Sequence, residues 1–532
     1  MEDSFEFFIP KTVLFFFYVS IGSIINAVLI HYFINSTKIQ DFQEWLSAMK
    51  ILCIVDMGYM KNKSVPENFE VTAEKLQELL QKKTPLLLFD LRLQDLYKNG
   101  HIEGAVHAVC DAKAKETIMP KIPKDVRIVL VDEDGSMASE TAKMMRSFGL
   151  DTYYLKGGMR GWNKAVVKGS PPSSVESDSL WKEMQDSKDD LFLLDVRDAD
   201  EFSDFKIPGS VNISLQDIFK EENISKIPTN KKIVTICPHG NRSMVATFAL
   251  AKNGIESRTL AGGLAGWSQV LNPVTAVKQN PTVIQIEKIG KGCLSYLLIS
   301  EDQAIVIDPL FPAEKYQKIA IQNNATIIKV IDTHQHADHL SSAWHLAKIS
   351  NSACYESGLE QWNRDANFIK EGESIEFGQS KLRIIHTPGH TPGSLSYVVD
   401  EKYVFTGDIL FVESIGRPDL RDKAEEFAGE LYGSLHNKLL KLPPNIIVFP
   451  AHHGQTVKSE NGVFSTTIEK ASKHEILQLS KEEFVKKIIG MTPPRPMNYQ
   501  KIIQINKGSL SISAHEIPDL ELGPNRCSIT GT

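Results

Sequence analysis

Short apolar runs such as Leu86–Phe89 and Ile233–Ile236 alternate with helically periodic segments such as Ser243–Lys252. That alternation predicts buried parallel strands with helices between them. The pattern occurs twice. LLLFDLR at Leu86–Arg92 is matched by LFLLDVR at Leu191–Arg197, GHIEGAV at Gly100–Val106 by FKIPGSV at Phe205–Val211, and GGMRGW at Gly157–Trp162 by GGLAGW at Gly262–Trp267. Asp90 and Asp195, Gly104 and Gly209, and Trp162 and Trp267 all lie 105 residues apart. One spacing shared by three matches means a duplicated domain. The copies are placed at 66–170 and 171–278, joined by the Pro/Ser-rich stretch Gly169–Ser174. From about Thr282 the rhythm changes to alternating or apolar strands at Thr282–Glu287, Cys293–Ser300 and Ala304–Asp308, in a region placed at 279–470 with a tail at 471–532.

Residues 1–65 differ from all of this. Thr12–Ile34 runs for 23 residues without Asp, Glu, Lys or Arg, long enough to cross a bilayer, so an N-terminal hydrophobic helix and membrane anchor are expected there. Glu2, Asp3 and Glu6 precede it, which argues against a cleaved signal peptide. Lys11 before the run and Lys38 and Lys50 after it place the catalytic regions on the cytoplasmic side; without the anchor the protein would be cytoplasmic. The net charge of −7 gives no support for nucleic-acid binding. Six scattered cysteines without a CxxC pair suit a reducing compartment better than a disulfide scaffold.

In the second copy, Cys237-Pro238-His239-Gly240-Asn241-Arg242-Ser243 follows an apolar strand and opens a helix. A sulfur carrier must be a thiolate, and backbone N–H groups at a helix N-terminus stabilise an anion. Cys237 and Arg242 are therefore the candidate catalytic pair, and His239, Gly240 and Asn241 form the substrate-binding rim. The first copy has Asp132-Glu133-Asp134-Gly135-Ser136-Met137 instead. Nucleophile and cation are both missing, so that copy should be inactive and serve packing or docking. Cys110 is read as structural.

The later region carries His334-Gln335-His336-Ala337-Asp338-His339, then His390, Asp408 and His452, each beside a glycine or at the end of an apolar run. Clustered nitrogen and oxygen donors of this kind indicate a metal site. Two arrangements fit. In one, His334, His336 and His390 hold one ion, Asp338, His339 and His452 hold another, and Asp408 bridges them, generating hydroxide. In the other, His334, His390 and Asp408 form a facial triad on one ion, and His336, Asp338, His339 and His452 support it.

The DVR, IPGSVNI, CPHGNRS and GGLAGW segments resemble rhodanese domains, and the HxHxDH…H…D…H series resembles the metallo-β-lactamase fold, an αββα sandwich. The chain thus reads as two rhodanese-like α/β domains followed by that sandwich, α/β and α+β together. Gly292-Cys293-Leu294-Ser295-Tyr296, Gly416-Arg417-Pro418-Asp419 and the Pro493–Asn506 segment resemble the persulfide dioxygenase branch and its rhodanese-fused relatives. That resemblance implies one Fe²⁺, a small thiol persulfide such as glutathione persulfide, and O₂, with sulfite as product. It also implies Arg417 as a substrate-carboxylate contact, unless Arg417 is spent on Asp419. A hydroxyacyl-glutathione hydrolase-like thioesterase with two Zn²⁺ is the alternative. A membrane-anchored carrier passing sulfur to or from a protein is a third.

Overall fold

Each repeat folds into a five-stranded sheet, and the two sheets share one strand order. The first runs Glu70–Val71, Asp151–Leu155, Arg127–Val131, Leu87–Asp90, Val106–His107. The second runs Ser174–Val175, Ser257–Leu260, Lys232–Ile236, Leu191–Asp195, Val211–Asn212. Every pairing is parallel, as buried apolar strands with helical crossovers require. One apolar cluster runs through both copies, from Leu87, Ile128 and Ala142 to Leu194, Cys237 and Leu250.

This computed structural model describes residues 69–529, except 83–85, 109–123, 125–126, 170–173, 219, 365, 420–422, 455, 492–494, 496–497 and 525. The apolar segment 12–34 and Cys110 lie outside the described residues. Among the described residues no helix is long and apolar enough to cross a membrane.

The repeated motifs have a mechanical purpose. The Arg197 guanidinium donates to Asp195 at 2.7 Å and to the Phe205 carbonyl, which ties the strand end to the helix that follows it. Arg92 does the same with Asp90 and the Gly100 carbonyl, each at 2.7 Å. The paired glycines permit a close approach. A Cβ on Gly263, whose φ is +58°, would fall 2.2 Å from the Cys237 carbonyl oxygen.

Beyond residue 270 two sheets face each other. One has seven strands, from Leu271–Val277 to Asn367–Ile369, and the other six, from Ser374–Phe377 to Thr466–Thr467. Their inner faces share a core in which Leu294, Tyr296 and Ile305 of one meet Ile384, Tyr397, Phe405 and Phe449 of the other. Helices Glu314–Gln322 and Ala343–Ser350 cover the outside of the first sheet, and Ala424–Asn437 and Lys481–Met491 that of the second. The result is αββα, with the metal-type residues on loops at the strand ends.

The last sixty residues, which the sequence left without a role, are built into this domain. Ile502, Ile517 and Leu520 pack on Leu340, directly after the HxHxDH segment. Ser528–Ile529 pairs antiparallel with Ile415–Gly416.

Candidate metal centre and sulfur loop

The strand Thr326–Ile331 delivers the HxHxDH segment to the sheet edge. His334 Nε2 stands 3.7 Å from Asp408 Oδ2, and His390 Nε2 stands 3.5 Å from the same oxygen. The ligand atoms of all three lie within 4.8 Å of one another, a group that could hold one ion. All three atoms are buried, and none has a hydrogen-bond partner among the described residues. Burying polar atoms without partners is costly. A cation offers what these lone pairs lack.

The hydrogen bonds behind the triad choose its tautomers. The Arg417 carbonyl accepts from His390 Nδ1 at 2.8 Å, so that nitrogen carries the proton and Nε2 is a lone pair. Thr333 Oγ1 donates to Asp308 at 2.9 Å, which leaves it to accept from His334 Nδ1, also at 2.9 Å. Burial holds both imidazoles below their usual pKa and therefore neutral, reinforced at His334 by its neighbour His336. Burial opposes the charge on Asp408, but the His452 cation outweighs it and holds the carboxyl below its usual range. Two neutral imidazoles and a carboxylate are the protonation states that metal binding needs.

The other four residues are arranged differently. His336 donates through Nε2 to Asp308 at 3.2 Å, leaving a buried Nδ1 without a partner. His339 Nδ1 donates to Asp338 Oδ1 at 2.9 Å, and its pKa is raised to about 10 because Asp338 outweighs the burial. His452 lies between two carboxylates, with Nδ1 2.6 Å from Asp408 and Nε2 2.9 Å from Asp338. Burial works against its charge, but the two carboxylates raise its pKa well above normal. Its ring nitrogens face these two carboxylates, and its donor atom also belongs to two groups of ligand-type atoms, one with Cys293, Asp338 and His339 and one with Asp408 and Cys527.

Two cysteines that the sequence reading gave no metal role stand at this centre. Cys293 donates to Asp338 Oδ2 at 3.4 Å, and its donor atom groups with those of Asp338, His339 and His452 within 4.8 Å. Cys527 forms a similar group with Asp408 and His452. No spacing rule could have found Cys527, which lies 119 positions after Asp408. Asn506 was also missed. Its side-chain amide donates to the carbonyls of His336 and His339, each at 2.9 Å, and its oxygen accepts from the Ser341 N–H at 3.0 Å.

Arg417 is fully buried and grips Asp419 through two hydrogen bonds of 2.7 and 2.8 Å, with a third to the Arg526 carbonyl at 2.8 Å. Of its two expected roles, these contacts describe the loop ion pair. A substrate carboxylate would have to open that pair.

In the second repeat, the Gly240 N–H donates to Cys237 Sγ at 3.1 Å, and Sγ lies 3.4 Å from Ser243 Oγ. Arg242 does not stand alone beside the sulfur. Its guanidinium makes two 2.7 Å hydrogen bonds to Glu201, which offset part of its charge. Gly240 caps and Asn241 opens the helix Asn241–Lys252, and His239 Nδ1 lies 3.4 Å from Asp519. In the first repeat, Asp132 occupies the cysteine position. Its carboxylate accepts from the N–H groups of Gly135, Met137 and Ala138 at 2.6, 2.8 and 3.1 Å. The loop that surrounds Cys237 Sγ in one copy surrounds a carboxylate in the other.

An αββα sandwich with histidines and carboxylates at its strand ends, behind two repeats of one parallel α/β domain, defines a metal-dependent enzyme fused to sulfur-carrier-type domains. The chain belongs to the metallo-beta-lactamase superfamily, whose model matches residues 289–452, and the rhodanese-like domain model matches residues 72–165 and 176–270. Bovine mitochondrial persulfide dioxygenase ETHE1 is 32% identical over 228 residues, covering 41% of this chain and 84% of that protein. Hydroxyacylglutathione hydrolase GloC of Haemophilus influenzae is 31% identical over 206 residues, covering 35% and 90%. Among solved structures, ETHE1 from Myxococcus xanthus matches 45% of this chain and 100% of its own, at 25% identity and a TM-score of 0.38.

Proposed function

We propose that the metal domain is a persulfide dioxygenase with one ferrous ion on His334, His390 and Asp408. The balanced reaction is R–S–SH + O₂ + H₂O → R–SH + SO₃²⁻ + 2H⁺, in which the outer sulfur is oxidised, O₂ is reduced and the thiol leaves. The observation that carries the reading is the gathering of His334 Nε2, His390 Nε2 and Asp408 Oδ2, three buried atoms without hydrogen-bond partners among the described residues, within 4.8 Å of one another. Two histidines and one carboxylate would suit a ferrous ion, which would supply the O₂ chemistry when bound. The similarity to persulfide dioxygenase ETHE1 supports the same choice.

The residues of the chain would then share the work. The Arg417 carbonyl and Thr333 orient the two imidazoles. His452 would keep Asp408 anionic. Apolar neighbours, Phe411 among them, limit water. In the second rhodanese-like domain, Cys237 would carry sulfane sulfur as a persulfide, with the Gly240 N–H stabilising the anion.

Protein purified without oxygen is expected to contain one iron per chain and to consume O₂ with glutathione persulfide, releasing sulfite. Two zinc ions, no O₂ uptake and cleavage of a glutathione thioester would replace this reading with the hydrolase similar to GloC. Cys237→Ser is expected to abolish thiosulfate:cyanide exchange and leave O₂ uptake with added persulfide intact.

A further inference from the structure

The first repeat lacks more than a nucleophile. At the mouth of the Cys237 loop, Arg242 lies 2.7 Å from Glu201 and 3.9 Å from Asp198. The positions 105 residues earlier hold Met137, Leu96 and Leu93, so three long apolar side chains stand in place of an arginine and two carboxylates. They are 47%, 44% and 77% exposed. The repeats share one strand order, and Arg92 lies 3.9 Å from Glu133, so the loops beside Leu93 and Met137 approach each other as their counterparts do. Val166, 45% exposed, extends the patch next to Gly100, which closes the helix Gln94–Asn99. The exchange also weakens the local structure. Asp198 and Glu201 form a capping box on the helix Ala199–Asp204, whereas Leu93 stands at the equivalent cap without a side-chain bond. Absence of catalysis does not call for leucine there, since a small polar residue would keep the cap and face water. Exposed apolar groups gathered within a polar border mark interaction sites.

The border has a sign. Asp95 is exposed beside Leu96, and the exposed Glu133 and Asp134 precede Met137, where the second repeat has Pro238 and His239. Arg160, 3.4 Å from Glu133, offsets one of the three charges. Lys98, two positions beyond Leu96, lies on another side of its helix. We propose that the mouth of the first repeat is a docking surface for a partner protein that presents an amphipathic helix, with apolar anchors on one face and Lys or Arg beside them. The anchors cover Leu93, Leu96 and Met137, and the cations meet Asp95, Glu133 and Asp134, which gives the contact its specificity. A second copy of the chain would bring the same carboxylates to the same surface and be repelled. The inactive repeat is then a recognition module, and its counterpart keeps the sulfur chemistry.

The test titrates the full chain into a fluorescein-labelled helical peptide with leucines on one face and arginines on the other, read by anisotropy. Leu93→Ser combined with Met137→Ser is expected to weaken binding about tenfold or more. Glu133→Gln combined with Asp134→Asn is expected to weaken it about threefold and to flatten its dependence on salt. All four side chains are exposed, so both variants should fold, and unchanged sulfur transfer at Cys237 checks that they do. A peptide of the same composition with its leucines scattered around the helix separates recognition from charge alone, and is expected to bind the wild type no better than the amphipathic peptide binds the Leu93→Ser, Met137→Ser variant. Equal binding of the two peptides, no binding of either, or no effect of the serine substitutions would overturn the proposal. Sedimentation addresses the other occupant: a wild-type dimer that the serine substitutions dissolve would assign the surface to a second copy and overturn it as well.

Discussion

His390 and His334 owe their open Nε2 atoms to what holds Nδ1, and the support behind that contact is tight. A Cβ added to Gly416 would fall 1.8 Å from the Asp408 carbonyl oxygen and 3.5 Å from His390 Nδ1. Gly416→Ala should therefore displace Asp408 and His390 together. Disturbing such supporting contacts typically costs about 10–100-fold in metal affinity or activity, and a loss of that order is expected in metal titrations, with the circular dichroism spectrum unchanged. Asp132 poses the opposite case, a residue whose chemistry is only structural. Asp132→Ala would leave the buried N–H groups of Gly135 and Ala138 without their acceptor. The expected destabilisation is about 1–3 kcal/mol in chemical unfolding, with sulfur transfer at Cys237 unaffected. The metal-type residues were legible at this scale because HxHxDH compresses four donors into six positions. Cys527 and Asn506 were not, since a lone cysteine and a lone asparagine far along the chain carry no spacing signal.

Among the elements, the helix Tyr499–Asn506 shows what the pattern of apolar positions left out. Ile502 is its buried contact, but its last residue, Asn506, holds the backbone of the HxHxDH loop by three hydrogen bonds. Loops without regular pairing need side chains to satisfy their carbonyls. Asn506→Ala is expected to lower the thermal midpoint and to weaken metal binding, while Asn506→Asp, which keeps only the acceptor, should recover part of the loss at most. Iron content after dialysis against a weak chelator distinguishes the two. The repeats were the most legible elements, because the 105-residue offset exposes both copies of the DxR and GGxxGW motifs. What those motifs do, Arg197 tying a strand end to a helix and Gly263 admitting the Cys237 backbone, depends on contacts that sequence does not print.

Across the whole molecule, Lys288 and Glu521 join the first strand pair of the metal domain to the C-terminal segment through a completely buried ion pair. Glu521 also accepts from the Leu340 N–H at 2.8 Å. Removing one partner of a buried pair strands a charge and costs about 3–5 kcal/mol, so Lys288→Met should unfold at markedly lower denaturant. Lys288→Met combined with Glu521→Leu should recover most of that loss. Burial raises the Glu521 pKa, but Lys288 pulls it below the usual value. A carboxyl depressed in the folded state contributes stability that is present above its unfolded pKa, about 4.3, and is lost as pH falls toward the folded value. Unfolding midpoints should fall below about pH 5, and by less in the double variant. By itself, the sequence determined the architecture: repeated strand and helix periods define the rhodanese-like pair, and donor residues placed after apolar strands define the metal domain. Only the tertiary structure shows what each donor meets. Whether a histidine offers a lone pair or a proton depends on the partner of its second nitrogen, and His452 meets carboxylates separated from it by 44 and 114 positions in the chain.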